Sequence, residues 1–150
     1  MAMSGTYVTD VPLKGSAEKH YKMWSSENHL IPEAIGHLVQ GITLHEGDWD
    51  SHGAIKTTKY NEDGKEEVFK ERIEIDDEKM AVTYTALDGE VMEELKLYVA
   101  NLHFIPESQN GCVCKISVNW EKRTQDSQST KFYKFLEGMV AAMDDHICHN

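Results

Sequence analysis

Polar and apolar residues alternate through most of the chain, and turn residues interrupt the alternation often enough to mark a series of short strands. Ser4 to Leu13 (SGTYVTDVPL) alternates weakly and carries Pro12 near its end, as an edge strand would. Ser16 then stands where it can cap a helix, and SAEKHYKMW sets Ala17, Tyr21 and Trp24 at helical spacing. Past the polar break SSEN, HLIPEAI predicts a second short helix whose length Pro32 limits. Beyond Gly36 come HLVQGITLHE, GAIKTTKY, a NEDG turn, KEEVFKERIEI, a DDEK turn, MAVTYTAL, a DGE turn and ELKLYVANLHFI. After PESQNG, the segment CVCKISVNWEK sets Cys112, Cys114, Ile116, Val118 and Trp120 on one face and Lys115, Ser117, Asn119 and Glu121 on the other.

The last segment changes period. From about Ser129 to His146, Phe132, Phe135, Leu136, Met139, Val140, Met143 and Ile147 recur at helical spacing, which predicts a long amphipathic helix that must cover apolar surface. Gly138 inside it predicts either a bend or a close backbone contact. The order β, α, α, six strands, long α describes an α+β chain: a strongly bent, seven-stranded antiparallel sheet holding a C-terminal helix, with two short helices after the first strand.

Strand parity then selects the face that meets the helix. Lys56, Thr58 and Tyr60 share one face of their strand, and Phe69, Glu71, Ile73 and Ile75 share one face of the next. Val82, Tyr84 and Ala86 follow, then Tyr98, Ala100, Leu102 and Phe104, then Cys114, Ile116, Val118 and Trp120. A close-packed core favours aliphatic side chains, and an unpaired polar group inside it costs about 1 to 3 kcal/mol. Lys56, Thr58, Tyr60, Glu71 and Tyr84 on this face therefore suit a cavity with a few orienting polar groups as well as they suit a filled core. Phe135, Met139 and Met143 would line it from the last helix.

The composition narrows the function. A chain of 150 residues is enough for one domain with its own core. Its 15 Lys and Arg against 26 Asp and Glu leave a net charge of −11, which repels phosphate backbones and anionic headgroups, so nucleic acid is not an expected partner. No stretch approaches the run of about 18 apolar residues that spans a membrane, and MAMSGTYVTD lacks the features of a signal peptide, so a cytoplasmic location is expected. Cys112, Cys114 and Cys148 are an odd count, so disulfides are not expected.

The stretch HEGDWDSHGAIK admits three readings. His45, Asp48, Asp50 and His52 could hold a metal, but they follow no known ligand spacing. Gly47 and Gly53 lead into a strand and not a helix, which argues against a phosphate cradle. A shaped strand connection, with glycines at positive φ and Trp49 covering neighbouring surface, fits better. Lys56 and Glu71 could form a proton-transfer pair, a simple internal charge pair, or a ligand's polar anchor, and an aromatic acid or other anionic guest would suit Lys56. Cys112 and Cys114 read as small hydrophobes, and His146, Cys148 and His149 as a helix end. Neither a cofactor nor a metal is expected.

Taken together, IPEAIGHLVQG with HEGDWDSHGAIK, KEEVFKERIEIDDEKMAVTY, ALDGEVMEELK, ISVNWEK and the closing MVAAMDDHI resemble the major latex proteins, within the birch pollen allergen and START-like superfamily of plants. The resemblance spans nearly the whole chain. It implies a helix-grip fold with a hydrophobic cavity, and a Gly47 to Gly53 loop equivalent to the superfamily's glycine-rich loop. It further implies binding, carriage or sensing of a small hydrophobic molecule such as a hormone, steroid, flavonoid or lipid, in defence or stress responses. Such families also include enzymes, norcoclaurine synthase among them, and receptors that recruit protein partners on binding a ligand. The catalytic set of norcoclaurine synthase does not map onto this chain, so no enzymatic activity is expected. The chain departs from the family pattern at Asp50 and Lys59, where relatives carry Gly and Trp.

Overall fold

The computed structural model describes residues 2–149. Seven strands form one antiparallel sheet in the order β1-β7-β6-β5-β4-β3-β2, so the first two strands in the chain are its two edges. They are β1 (Ser4–Leu13), β2 (Val39–Glu46), β3 (Ala54–Glu62), β4 (Lys65–Asp76), β5 (Ala81–Gly89), β6 (Leu95–Pro106) and β7 (Cys112–Lys122). The two-residue period is visible in burial: on β7, Cys112, Cys114, Ile116 and Val118 are buried while Lys115 and Asn119 are exposed.

Among the described residues, four α-helices accompany the sheet: α1 (Ala17–Ser25), α2 (Ile31–Ala34), α3 (Glu90–Glu94) and α4 (Thr130–Cys148). The Ser16 hydroxyl caps α1 by accepting from the Lys19 N–H at 3.2 Å. The second predicted helix is shorter than its pattern suggests, because a 3-10 turn (Asn28–Leu30) leads into it and Pro32 stands in its first turn. Helix α3 was not predicted. It occupies the segment read as a DGE turn and the start of β6, and five residues are too few to display a helical period.

Helix α4 buries Phe132, Leu136, Val140 and Met143, while Phe135, Met139 and Ile147 are partly buried against the same core. Gly138 makes no close contact: a Cβ built there would meet nothing within 4 Å. The close-contact expectation is therefore wrong, and the glycine weakens the helix. Gly138→Ala is expected to raise stability by about 0.5 to 1 kcal/mol in urea unfolding.

Two internal ties fix α1 and α4. On the α1 side, His20 is fully buried, its Nε2 lies 2.8 Å from Asp144 Oδ1, and its ring stacks on Phe104 at 5.6 Å. Asp144 also accepts from the backbone N–H groups of Lys14 and Gly15, both at 2.9 Å. At the other end of α4, Lys131 Nζ lies 3.3 Å from Glu67 Oε2, and Tyr60 donates to Glu67 Oε1 at 2.7 Å. Glu67 shares strand parity with Glu71 and is buried, a third inward charge beside Lys56 and Glu71.

Candidate functional site

Beneath the first half of α4 the interior is not filled. A cavity in which the centre of a water-sized sphere can range over about 80 Å³ lies between the helix and the sheet. Val39 and Ile42 of β2, Thr58, Tyr60 and Glu62 of β3, Phe69 and Glu71 of β4, Tyr84 of β5, and Tyr98 and Ala100 of β6 form the sheet side. Phe132, Phe135, Leu136 and Met139 form the α4 side, and Trp24, Asn28, Ile31 and Val91 close the ends from the shorter helices. The wall is mainly apolar, with a few polar groups set into it, the usual make-up of a small-molecule site.

Most of those polar groups are held by the protein itself. Tyr84 donates to the Trp24 carbonyl, and Tyr98 to the Phe132 carbonyl at 3.4 Å. Thr58 Oγ1 donates to Glu71 Oε1 at 2.9 Å. Burial pushes the Glu71 carboxyl well above the ordinary carboxylate range, and neither the Thr58 hydrogen bond nor the attraction of Lys56 offsets it. Glu62 is raised as well, again by burial first, against the pull of Lys131.

Lys56 is fully buried but does not reach the cavity wall. Its ammonium donates to Asn28 Oδ1 and to the Trp49 carbonyl, both at 3.0 Å, and lies 5.2 Å from the centre of the Trp49 ring. Among the described residues no ion pair within 4 Å joins Lys56 to Glu71, so the expected internal charge pair is replaced by a tie between the 3-10 turn and the β2–β3 loop. Burial pushes the ammonium down to about 8, while the charges of Glu71 and Asp50 work in the opposite direction. The Trp49 ring packs on His29 at 5.2 Å, and Gly47 and Gly53 take φ of 76° and 85°, the left-handed region that glycine enters without strain. Lys56→Met is expected to speed amide exchange in residues 47–53 by about tenfold, measured against unchanged protection in β6 and β7.

The other groups of this stretch turn away from each other. His45 Nε2 pairs with Thr57 Oγ1 at 2.7 Å, and His52 Nδ1 accepts from the Ile75 N–H at 3.0 Å. Among the described residues no three His, Cys, Asp or Glu side chains are placed to hold a metal ion. The cysteines are free, and burial pushes the Cys112 thiol up to about 11 and Cys114 further, which suits packing more than reactivity.

The pattern of strands, cavity and gripping helix is matched by known proteins. The model of the pathogenesis-related protein Bet v 1 family matches residues 2–150. This chain belongs to that family. MLP-like protein 328 of Arabidopsis thaliana is 60% identical over 148 residues, covering 98% of each chain. The crystal structure of ginseng major latex-like protein 151 from Panax ginseng superposes with a TM-score of 0.89 at 24% identity, covering 97% of this chain and 98% of that one. Norcoclaurine synthase from Thalictrum flavum, solved with dopamine and hydroxybenzaldehyde, gives a TM-score of 0.68 at 20% identity, covering 96% of this chain and 84% of that one, and shares the fold. Among the described residues no helix is long and apolar enough to cross a membrane.

Within this Bet v 1 family chain, the residues expected at the site from strand parity and the α4 stripe divide into two groups. Thr58, Tyr60, Phe69, Glu71, Tyr84, Tyr98, Ala100, Phe135 and Met139 stand on the cavity wall. Lys56, Val82, Ala86, Leu102, Phe104, Cys114, Ile116, Val118 and Met143 are buried, and Trp120 is partly buried, but none of the ten lines the cavity. Parity identifies the inward face without saying what covers it. Phe104 is covered by His20 of α1, and Trp120 sits over Gly5 of β1, where a Cβ would come within 2.7 Å of the indole ring. Nine wall residues lay outside the selection. Glu62 could have been found, because it continues the parity of Tyr60 into the turn. Phe132 and Leu136 belong to the recognised α4 stripe. Val39 and Ile42 are separated by a register shift in β2, which breaks the period that would reveal them. Trp24, Asn28, Ile31 and Val91 arrive from helices whose docking no local pattern encodes.

Proposed function

We propose that this protein binds and carries, or senses, a small hydrophobic molecule in the cavity beneath α4, without transforming it. The single observation behind this reading is the mainly apolar space bounded by both the sheet and the helix. Burying apolar area there contributes affinity at about 25 cal/mol per Å². The space is smaller than the roughly 300 to 1,000 Å³ of sites for drug-sized molecules, so larger guests require Phe135, Leu136 or Met139 to change rotamer. Met139 is suited to that adjustment. The loop of residues 47–53 and the β5–α3 connection are the mobile rim through which a guest enters. The family's description as pathogenesis-related supports a role in plant defence.

Catalysis by Lys56 and Glu71 is the weaker reading, because Lys56 is already committed to Asn28 and Trp49. Titration with a fluorescent apolar probe is expected to saturate at one probe per chain. Ala100→Leu, which fills the cavity from β6, is expected to weaken the probe at least tenfold while the circular dichroism spectrum stays unchanged. Absence of saturable binding by the wild-type protein would overturn the proposal.

A further inference from the structure

Among the described residues, the buried side-chain atoms without a hydrogen-bond partner in the protein are His20 Nδ1, Trp24 Nε1, Glu62 Oε1 and Glu71 Oε2. Three of the four belong to residues of the cavity wall. Unpaired buried polar atoms are few in folded proteins, and their concentration around one space points to a guest that satisfies them. Trp24 and Glu71 are each 3% exposed, so bulk water does not reach them freely.

We infer that the cavity prefers an uncharged guest bearing a hydroxyl group and rejects carboxylates, with Glu71 Oε2 and Trp24 Nε1 as the groups that recognise it. This rests on the carrier reading above and names its ligand class. Thr58 donates to Glu71 Oε1, so a proton on this carboxyl resides on Oε2, the oxygen left for the guest. Burial favours that protonated form. A hydroxyl can accept from the protonated carboxyl, donate to the ionised one, and accept from the Trp24 indole N–H, which only donates. A carboxylate guest can accept from the same two donors, but it carries its charge into a wall dominated by hydrocarbon, where burial disfavours it as it disfavours ionised Glu71. The nearby cations cannot neutralise it: Lys56 is held by Asn28 and the Trp49 carbonyl, and Lys131 by Glu67. An ammonium guest would carry its charge into a wall dominated by hydrocarbon, beside a carboxyl that burial has already driven towards neutrality. The expectation of an anionic guest anchored by Lys56 is thereby replaced.

The test uses four matched probes of similar size, benzyl alcohol, benzyl methyl ether, benzoate and benzylammonium, with toluene as the apolar reference. Each is titrated at pH 7 into ¹⁵N-labelled full-length protein, and amide and indole resonances are followed. Benzyl alcohol is expected to bind about tenfold tighter than benzoate or benzylammonium and several-fold tighter than the ether, moving the Trp24 indole resonance. Glu71→Leu is expected to abolish the several-fold advantage of benzyl alcohol over the ether, read as the ratio of the two affinities within the variant. Glu71→Gln, whose amide both donates and accepts, is expected to keep the hydroxyl preference. Binding of benzoate or benzylammonium as tight as benzyl alcohol, or equal affinity for toluene and benzyl alcohol, would overturn the hydroxyl proposal and leave the carrier reading standing. Failure of all five probes to bind would overturn both.

Discussion

Asp144→Ala is expected to remove about 3 kcal/mol of folding stability, the largest single loss predicted for this protein. The carboxylate gathers the N–H groups of Lys14 and Gly15 and the His20 ring, joining the end of β1, α1 and α4 at one point. Alanine would leave two backbone donors and a buried imidazole without their acceptor. Burial alone would push the Asp144 carboxyl up, but the Lys14, His20 and Gly15 hydrogen bonds together hold it below its ordinary 3.8. Its contribution is therefore present above pH 3.8 and disappears as pH falls through the lower folded-state value. His20 adds acid sensitivity in a higher window. Burial lowers it below 6.5 against the opposing hydrogen bond and charge of Asp144, so the unfolded chain binds the extra proton first as pH drops beneath 6.5. The unpartnered Nδ1 agrees with a neutral ring whose Nε2–H faces Asp144, since a protonated ring would bury an unpaired donor. Guanidinium unfolding of the wild type and of Asp144→Ala at pH 7 and pH 4 measures both effects. A loss below 1 kcal/mol at pH 7 would show that the joint carries little.

Glu71→Gln is expected to act in the opposite sense, raising stability by about 1 to 2 kcal/mol at pH 8. The amide retains an acceptor for Thr58 and removes a charge that burial disfavours. For an acid whose folded value is raised, the folded chain binds more protons than the unfolded one above pH 4.5. Glu71 therefore weakens the native state progressively as pH rises from 4.5 towards the folded value, and below 4.5 that cost vanishes. The stabilisation by glutamine should accordingly shrink as pH is lowered and be lost near pH 4. A gain of the same size at every pH would mean that charge burial is not its source. Under the proposed function, the cost is carried by a group of the cavity wall with hydrogen-bonding capacity to spare.

The two predictions differ in how far they could be foreseen. Glu71 was recognisable as an inward charge, since it sits between Phe69 and Ile73 on an alternating strand whose apolar members must face the core. Its missing ion pair was not recognisable, because Lys56 lies directly opposite it across β3 and β4 and register alone would join them. What separates them is the geometry of the Lys56 side chain, which turns to the 3-10 turn and the Trp49 carbonyl. The Asp144 joint left no mark in the local pattern at all. Asp144 follows Met143 on α4 as one polar residue among several, and its partners lie more than a hundred positions away.

Periodicity is a local property, because backbone geometry alone dictates which side chains of a strand or helix share a face, and burial then selects apolar residues for that face. For that reason the seven strands, the α4 stripe and the inward set around Tyr60, Tyr84 and Tyr98 were all legible in the amino-acid order. Tertiary structure alone decided which part of the inward face meets α1 and which meets the cavity, whether Lys56 bonds to Glu71 or to the loop, and which three residues around the cavity keep an unpaired polar atom. Those outcomes depend on how helices dock across the sheet, and docking sums contacts between segments far apart in the chain, which no short window of residues contains.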